Sequence, residues 1–364
     1  MPTKQRKSHV IQLTPPGRGA VATLRIEGPG AVEAVQSRFR ARSGRPLAAH
    51  PVDRLAIGHF GDDRGEEVVV RRCADDAVEL HCHGGFAAVA MIEETLVAAG
   101  CQRLAWRDWA TTHHADPAAA ALLALADART QRTAAILLDQ FHGALHRARD
   151  EIRQAIDRGD RDDAQRQADA LLARADLGRH LTQPWRVVLA GRVNVGKSSL
   201  INALAGYGRA IVHPIPGTTR DAVTVATAID GWPVELCDTA GLRTGGDAVE
   251  LAGIQRARER LAQADLAVLV FDCSGAWSAE DQALVDQWPR ALLVHNKCDL
   301  PAASGNRPPG LCTSALQNKG IEDLLDAIAG RLVPDPPSPG VAVPFTAEQV
   351  EAVNGLLDRP TDRK

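Results

Sequence analysis

The feature that most constrains the fold is a short loop with a glycine at each end, between a strand-like and a helix-like segment. Residues 186–190 are mostly apolar, residues 191–198 read Gly-Arg-Val-Asn-Val-Gly-Lys-Ser, and residues 199–204 have a helical pattern. Such glycines let the backbone wrap until its N–H groups point at phosphate oxygens, and the helix N-terminus adds favourable partial charge. This order predicts a phosphate-binding loop in a mostly parallel sheet with helices on both faces.

Four further motifs follow along the chain, each at or near the end of a predicted strand. Residues 216–221 contain paired threonines, residues 238–241 read Asp-Thr-Ala-Gly, residues 296–299 read Asn-Lys-Cys-Asp, and residues 314–316 read Ser-Ala-Leu. A threonine loop of the first kind is ordered by a nucleoside triphosphate with Mg²⁺ and released by the diphosphate. Because open α/β sheets bind ligands at the carboxyl ends of their strands, the motifs predict one nucleotide site.

The fourth motif selects the base. The carboxylate of Asp299 can accept hydrogen bonds from N1–H and the exocyclic amine of guanine, whereas adenine presents an acceptor at N1. A mismatch of this kind costs about 1–3 kcal/mol. The motif therefore predicts a preference for GTP over ATP.

These motifs assign roles to individual residues. We expect Lys197 to reach the β and γ phosphates, and Ser198, Thr219 and, through water, Asp238 to hold Mg²⁺. Lys197 and Thr219 would stabilise phosphate charge during hydrolysis. The glutamine that orients water in many switch GTPases is replaced by Leu242, which cannot do so. The predicted GTP-binding residues are Gly191, Asn194, Val195, Gly196, Lys197, Ser198, Ser199, His213, Pro214, Ile215, Pro216, Gly217, Thr218, Thr219, Asp238, Thr239, Ala240, Gly241, Asn296, Lys297, Asp299, Ser314, Ala315 and Leu316.

The composition limits the kind of protein. In 364 residues, 45% are hydrophobic and the net charge is −3, so no global basic field attracts nucleic acid. The seven cysteines form no Cys-x-x-Cys pair, which favours reduced thiols in the cytoplasm over disulfides or a zinc ribbon. The longest apolar run, residues 118–126, is shorter than the roughly 20 residues of a membrane span, so we expect no membrane segment.

Changes of pattern along the chain predict a multidomain protein of α+β and α/β class. Residues 1–115 indicate an α+β domain, residues 116–184 a helical domain, and residues 185–333 the nucleotide-binding G domain. Residues 334–340 are a proline-rich linker, and residues 341–364 could pack on the helical domain.

The helical domain is expected to contain two main helices. Apolar residues at positions 137, 141, 145, 148, 152 and 156 form one stripe of helical period, and residues 161–177 form a second helix. Residues 146–180 mix arginine and acidic residues evenly. This mixture favours a solvated helix face over an RNA-binding face.

Beyond these motifs, the chain resembles the MnmE (TrmE) family of tRNA-modification GTPases. The resemblance is carried by residues 191–272, including Ala-Ile-Val at 210–212, by residues 13–26, and by Val-Glu-Leu-His-Cys-His-Gly-Gly at 78–85. It spans most of residues 11–333.

The resemblance implies potassium-dependent hydrolysis. An asparagine of the phosphate loop, matched by Asn194, holds K⁺ with the loop that contains His213, Ile215 and Thr218, once two G domains meet face to face. A glutamate matched by Glu250 orients the attacking water. From the residues alone, Asn194 could instead satisfy loop backbone groups, and Glu250 could be a solvated charge at a helix start.

For the amino-terminal domain, the resemblance implies homodimerisation and binding of a formyl-tetrahydrofolate. Arg25 and Glu79 fall at folate-contacting positions; the alternative is an ordinary ion pair between strands. A metal site at residues 81–83, His-Cys-His, is disfavoured because adjacent strand residues point to opposite faces.

Two biological roles stay open. The first is wobble-uridine modification of tRNA with a flavin-binding partner of the MnmG type and a tetrahydrofolate derivative. The second is a divergent GTP switch that docks RNA or protein and modifies no nucleoside. The family's G domain is followed by helices and a cysteine-containing motif; residues 334–364 contain no cysteine, which favours the second role, whereas the amino-terminal motifs favour the first.

Overall fold

Two compact units make up the chain, Met1–Ala115 and Asp116–Lys364. The computed structural model describes residues 7–62, 65–113, 117–207, 224–238, 259, 261–303 and 305–357. The predicted combination of an α+β part with a P-loop α/β part is confirmed.

Alternation of buried and solvent-facing residues builds the sheet of the first unit. Within Val21–Glu27, Ala22, Leu24 and Ile26 are buried while the residues between them are not. Within the described residues the sheet has seven strands in the order β3-β4-β5-β6-β2-β1-β7, antiparallel except for β1 beside β7. They are β1 His9–Gln12, β2 Val21–Glu27, β3 Phe39–Ala41, β4 Leu55–Phe60, β5 Glu66–Ala74, β6 Ala77–His83 and β7 Gln102–Arg103.

In the described part of the first unit, three α-helices accompany this sheet. α1 (Ala31–Gln36) and α2 (Phe86–Ala98) contribute buried residues such as Val35 and Ile92 to the core formed with the inward residues of the strands. α3 (Trp106–His113) packs beside β1. The other face of β2 and β6 therefore presents polar residues, including the predicted folate positions.

The second unit contains the parallel sheet that the phosphate-loop motif requires. Its central strands are mostly buried and apolar, and the strand order is β13-β12-β11-β8-β10-β9, all parallel except β9, which runs antiparallel to β10. They are β8 Trp185–Ala190, β9 Thr224–Ile229, β10 Trp232–Asp238, β11 Leu266–Asp272, β12 Leu292–Asn296 and β13 Leu311–Cys312.

Each of the two helices predicted for the helical domain is divided in the structure, the second into Arg161–Leu172 and Ala175–Arg179. The apolar stripe over residues 137–156 is interrupted at Gly143, whose φ of 89° lies in the left-handed region and ends one helix before the next begins. The described helices are α4 Ala118–Asp127, α5 Gln131–Phe141, α6 Ala144–Asp157, α7 Arg161–Leu172, α8 Ala175–Arg179, α9 Lys197–Tyr207, α10 Ala279–Gln287, α11 Ile321–Leu332 and α12 Ala347–Leu357. No helix in the described ranges is long and apolar enough to cross a membrane.

The segment after the proline-rich stretch packs against helices α5, α6 and α7. Gln140 of α5 donates to Val341 O at 3.0 Å and accepts from Val343 N at 3.1 Å. Val353 and Leu356 of α12 are buried with residues of α6 and α7. These contacts anchor residues 341–357 within the second unit.

Arg132 and His180 are among the side chains that connect the helices to the G-domain sheet. Arg132 of α5 makes two hydrogen bonds to the Asp230 carboxylate, at 2.8 and 3.2 Å, and lies over the Trp232 ring. The buried His180 ring stacks on Trp185 with centroids 3.6 Å apart. Burial lowers the pKa of His180 and outweighs the nearby carboxylates, which raise it.

Candidate nucleotide-binding site

The loop between β8 and α9 has a backbone that only certain residues allow. Gly191 and Gly196 have φ of 148° and 91°, and Asn194 has φ of 63°. A Cβ on Gly191 would lie 2.1 Å from Val270 O, and one on Gly196 would lie 2.4 Å from the Nδ2 atom of Asn296. Both glycines are therefore required by close approach as well as by conformation.

Inside this loop, Lys197 is 4% exposed and its Nζ donates to Gly191 O at 3.0 Å and to Arg192 O at 2.8 Å. Two carbonyl groups of the loop thus hold the ammonium group of Lys197 against the loop. A charge buried in this way is suited to an anionic phosphate held by the same loop.

Beside the loop, two oxygen ligands of the kind that Mg²⁺ prefers lie together. Ser198 Oγ donates to Asp238 Oδ2 at 2.6 Å, and Asp238, the last residue of β10, is only 2% exposed. A buried carboxylate paired with a hydroxyl fits a hard divalent cation. The predicted Mg²⁺ positions Ser198 and Asp238 are therefore brought together.

Asn296 joins the phosphate loop to the base-recognition motifs. It is 2% exposed, its Nδ2 donates to Val195 O at 2.9 Å, and its Oδ1 accepts from Thr313 Oγ1 and Ala315 N, both at 3.2 Å. One amide side chain at the end of β12 thus fixes the phosphate loop and residues 313–315 relative to each other. The Ala315 N–H, one of the groups expected to meet the guanine O6, is used by Asn296 in this structure.

Two residues that sequence reasoning missed complete this part of the site. Thr313 is fully buried, and Asp272, at the carboxyl end of β11, accepts from Lys297 Nζ at 2.6 Å and from the N and Oγ atoms of Ser274. Burial raises the pKa of Asp272, but the hydrogen bonds from Lys297 and Ser274 together lower it by more. The pKa of Asp272 therefore lies below its usual value. The position of Asp272 at the carboxyl end of a predicted parallel strand is the sequence feature that could have identified it as a site residue.

The base-reading position lies directly after Lys297. Asp299 is half-buried, and within the described ranges its carboxylate has no hydrogen bond or ion pair. Ser314 is fully buried, its backbone pairs with Lys319, and Leu316 is 85% exposed. The structure therefore leaves the Asp299 carboxylate available to a ligand.

Several predicted site residues lie outside the described residues. They are His213, Pro214, Ile215, Pro216, Gly217, Thr218, Thr219, Thr239, Ala240, Gly241 and Glu250. Of the predicted potassium positions, only Asn194 is described, and its side chain is exposed at the loop surface.

In the first unit, the predicted folate positions form part of a charged network. Arg25 Nη1 lies 3.2 Å from Glu79 Oε1, and Arg71 Nη2 lies 2.8 Å from Glu79 Oε2. Glu27 accepts from Arg25 Nε and from Trp109 Nε1, both at 2.8 Å. The two positions are thus neighbours on paired strands and form the inter-strand ion pair.

The His-Cys-His run of β6 spreads its side chains apart. His81 Nδ1 lies 2.9 Å from Thr23 Oγ1, Cys82 is buried, and His83 Nδ1 contacts Glu66. Within the described ranges, no group of three His, Cys, Asp or Glu residues is placed to hold a metal ion.

Two family models match parts of the chain. A sequence model of the family described as GTP-binding protein TrmE N-terminus matches residues 10–107, and one described as 50S ribosome-binding GTPase matches residues 186–297. The G domain of the FeoB iron transporter of T. maritima is 26% identical, covering 41% of this chain and 99% of that one with a TM-score of 0.30.

Full-length relatives extend the similarity across both units. The tRNA modification GTPase MnmE of Geobacillus thermodenitrificans (strain NG80-2) is 33% identical over 370 residues, covering 87% of this chain and 80% of the relative. The protein of the same name from Synechococcus sp. (strain CC9605) is 33% identical over 374 residues, covering 91% and 82%. The chain therefore belongs to the MnmE family of tRNA modification GTPases.

Proposed function

We propose that this protein binds GTP with Mg²⁺, hydrolyses it to GDP and phosphate, and acts in the modification of tRNA. The observation that carries the proposal is the Asn296 side chain, which joins Val195 of the phosphate loop to Thr313 and Ala315 of the base side. A site with both ends fixed to each other recognises a whole nucleotide rather than an isolated phosphate.

At the phosphate end, the roles follow from charge and position. Lys197 would exchange its bonds to the Gly191 and Arg192 carbonyls for bonds to the β and γ phosphates. Ser198 and Asp238 would hold Mg²⁺, which, when bound, neutralises negative charge that develops on the phosphate oxygens. Thr219 would complete this shell.

At the base end, Asp299 would accept two hydrogen bonds from guanine. Lys297, held at 2.6 Å by Asp272, would lie beside the base. The arrangement rejects adenine because the carboxylate would face an acceptor with no hydrogen between them.

For hydrolysis, Glu250 would orient the attacking water, since Leu242 cannot. Asn194, whose side chain is exposed at the loop surface, would contribute to a K⁺ site with His213, Ile215 and Thr218 when two G domains pair. A cation fixed there stabilises charge in the transition state without a separate arginine. Equal hydrolysis rates in K⁺ and Na⁺ would remove this role from Asn194.

The wider role is proposed from family membership. The substrate is a wobble uridine of tRNA, the partner a flavoprotein of the MnmG type, and the one-carbon donor a tetrahydrofolate derivative contacted by Arg25 and Glu79. Homodimerisation would use the first unit. Leu55 and Ile57, 64% and 49% exposed, lie on one face of β4 and offer an apolar surface for a second copy.

Replacing guanine by xanthine in the nucleotide tests the assignment of Asp299 as the base-reading residue. In Asp299→Asn, the amide can donate to the 2-oxo group of xanthine, so we expect affinity to move from GTP to XTP by about 100-fold or more. Asp326→Asn, on the exposed face of α11, is the matched control and should keep GTP preference. Retained GTP preference in Asp299→Asn would refute the assignment.

The modification role requires a separate test. A strain without its own modification enzyme would be complemented with this chain, and its tRNA would be read by mass spectrometry. Modified wobble uridine supports the proposal. Unmodified uridine, with folded protein present and GTP hydrolysis intact, would instead indicate the divergent GTP switch.

A further inference from the structure

The loop over residues 299–310 is held by contacts that the nucleotide motifs do not account for. Arg307 Nη1 donates to Asp272 O at 3.1 Å, and Arg307 Nη2 donates to Cys273 O at 2.9 Å and to Gly275 O at 2.7 Å. Ala303 N also donates to Cys273 O, at 3.2 Å. The loop that begins with the base-reading residue is thus fastened to the turn after β11.

That turn holds the partner of Lys297. Its first residue, Asp272, accepts from Lys297 Nζ and from both the N and Oγ atoms of Ser274. The carbonyls that Arg307 binds belong to the same turn. Arg307 and Lys297 therefore both bind Asp272, Arg307 at its backbone carbonyl and Lys297 at its carboxylate.

The contacts at position 307 suit an arginine better than a lysine. Arg307 is half-buried, and within the described ranges its guanidinium has only carbonyl acceptors and no carboxylate partner. A planar guanidinium presents several donors in a fixed geometry, so it can fix three carbonyls at once, which a lysine ammonium on a flexible stem does poorly. Because its acceptors are backbone carbonyls, Arg307 fixes the conformation of the turn.

We propose that Arg307 is a positioning residue for guanine recognition. By fixing residues 272–275 it holds the Asp272 carboxylate against Lys297 and sets the start of the loop that carries Asp299. The proposal rests on the proposed function of this site as a GTP site. Because Arg307 acts on the base end, its loss should weaken GTP and GDP equally and leave the rate of the bound complex unchanged.

The test uses the full chain and fluorescent GTP and GDP analogues with Mg²⁺. For Arg307→Gln we expect Kd for both nucleotides to rise about tenfold, which is about 1.4 kcal/mol, with kcat at saturating GTP within about twofold of the wild type. Arg307→Lys should give a smaller rise. Arg290→Gln, an exposed arginine on the same unit, is the matched control and should leave Kd unchanged.

A double-mutant cycle separates positioning from general destabilisation. If Arg307 acts through Asp272, the combination of Arg307→Gln with Asp272→Asn raises Kd no more than the stronger single change. Additive effects, an unchanged Kd, or a lowered kcat with unchanged Kd would each overturn the proposal. If Arg307→Gln does not fold, an unchanged Kd in Arg307→Lys overturns it. Failure of the wild-type chain to bind GTP would refute the proposed function instead.

Discussion

Replacing Asn296 by alanine should loosen the whole nucleotide site even when no nucleotide is bound. The change removes three hydrogen bonds, to Val195, Thr313 and Ala315, each worth about 1 kcal/mol net. Because Val195 and Thr313 are buried, their orphaned groups raise the cost, and we expect a loss of about 3–5 kcal/mol. This is a large share of the 5–15 kcal/mol typical of a folded domain.

Hydrogen exchange of the nucleotide-free full chain measures this loss through the amides of β8 and β12. Thr313→Val removes one of the three bonds and should cost about 1 kcal/mol, so the two variants form a graded series. Asn354→Ala, the same substitution on the exposed face of α12, should change stability by no more than about 0.5 kcal/mol. A loss below about 1 kcal/mol in Asn296→Ala would refute the argument that this amide holds the site together.

Three further outcomes follow from other contacts. Gly196→Ala should abolish nucleotide binding and destabilise the unit by about 2–4 kcal/mol, because the new methyl group collides with Asn296 and the residue must keep a left-handed φ. Urea unfolding and a GTP titration would measure both effects. Since the pKa of His180 is lowered in the folded protein, the unfolded chain takes up the proton first, so stability should fall as pH drops below about 6.5. His180→Gln should flatten this dependence in thermal melts across that range; an unchanged slope would contradict it. Arg132→Ala should cost about 1 kcal/mol, because a partly exposed bidentate pair to Asp230 is lost, and urea unfolding with no change would show that this pair is energetically neutral.

Local patterns predicted the elements on which the chemistry depends. The order of strand, glycine-ended loop and helix around residues 186–204 is set by neighbouring residues, and β8, the loop and α9 follow it. The proximity of Ser198 and Asp238 was also predictable. Asp238 ends one strand of the parallel sheet, and Ser198 comes after the loop that follows the neighbouring strand. The GTP-binding assignments themselves, including those in residues 208–223 and 239–258, stay predictions.

Long-range contacts and helix breaks were not predictable in this way. The stripe of apolar residues continues across Gly143, so periodicity alone gave no sign that a left-handed residue separates two helices. The Lys297–Asp272 pair and the Arg307 contacts join residues 25 to 35 positions apart, and no local pattern records such pairings. The pair between Arg25 and Glu79 is an exception, because the sequence offered an inter-strand ion pair as one of two interpretations; the structure shows that pair, and folate contact stays a proposal.

The most direct test of the central claim is a calorimetric comparison of Mg²⁺–GTP and Mg²⁺–ATP titrated into the full chain. We expect one GTP site per chain, and ATP weaker by at least about 30-fold, because adenine lacks both donors that the Asp299 carboxylate needs, at about 1–3 kcal/mol each. Equal affinity for the two nucleotides, or no heat with GTP, would contradict the account.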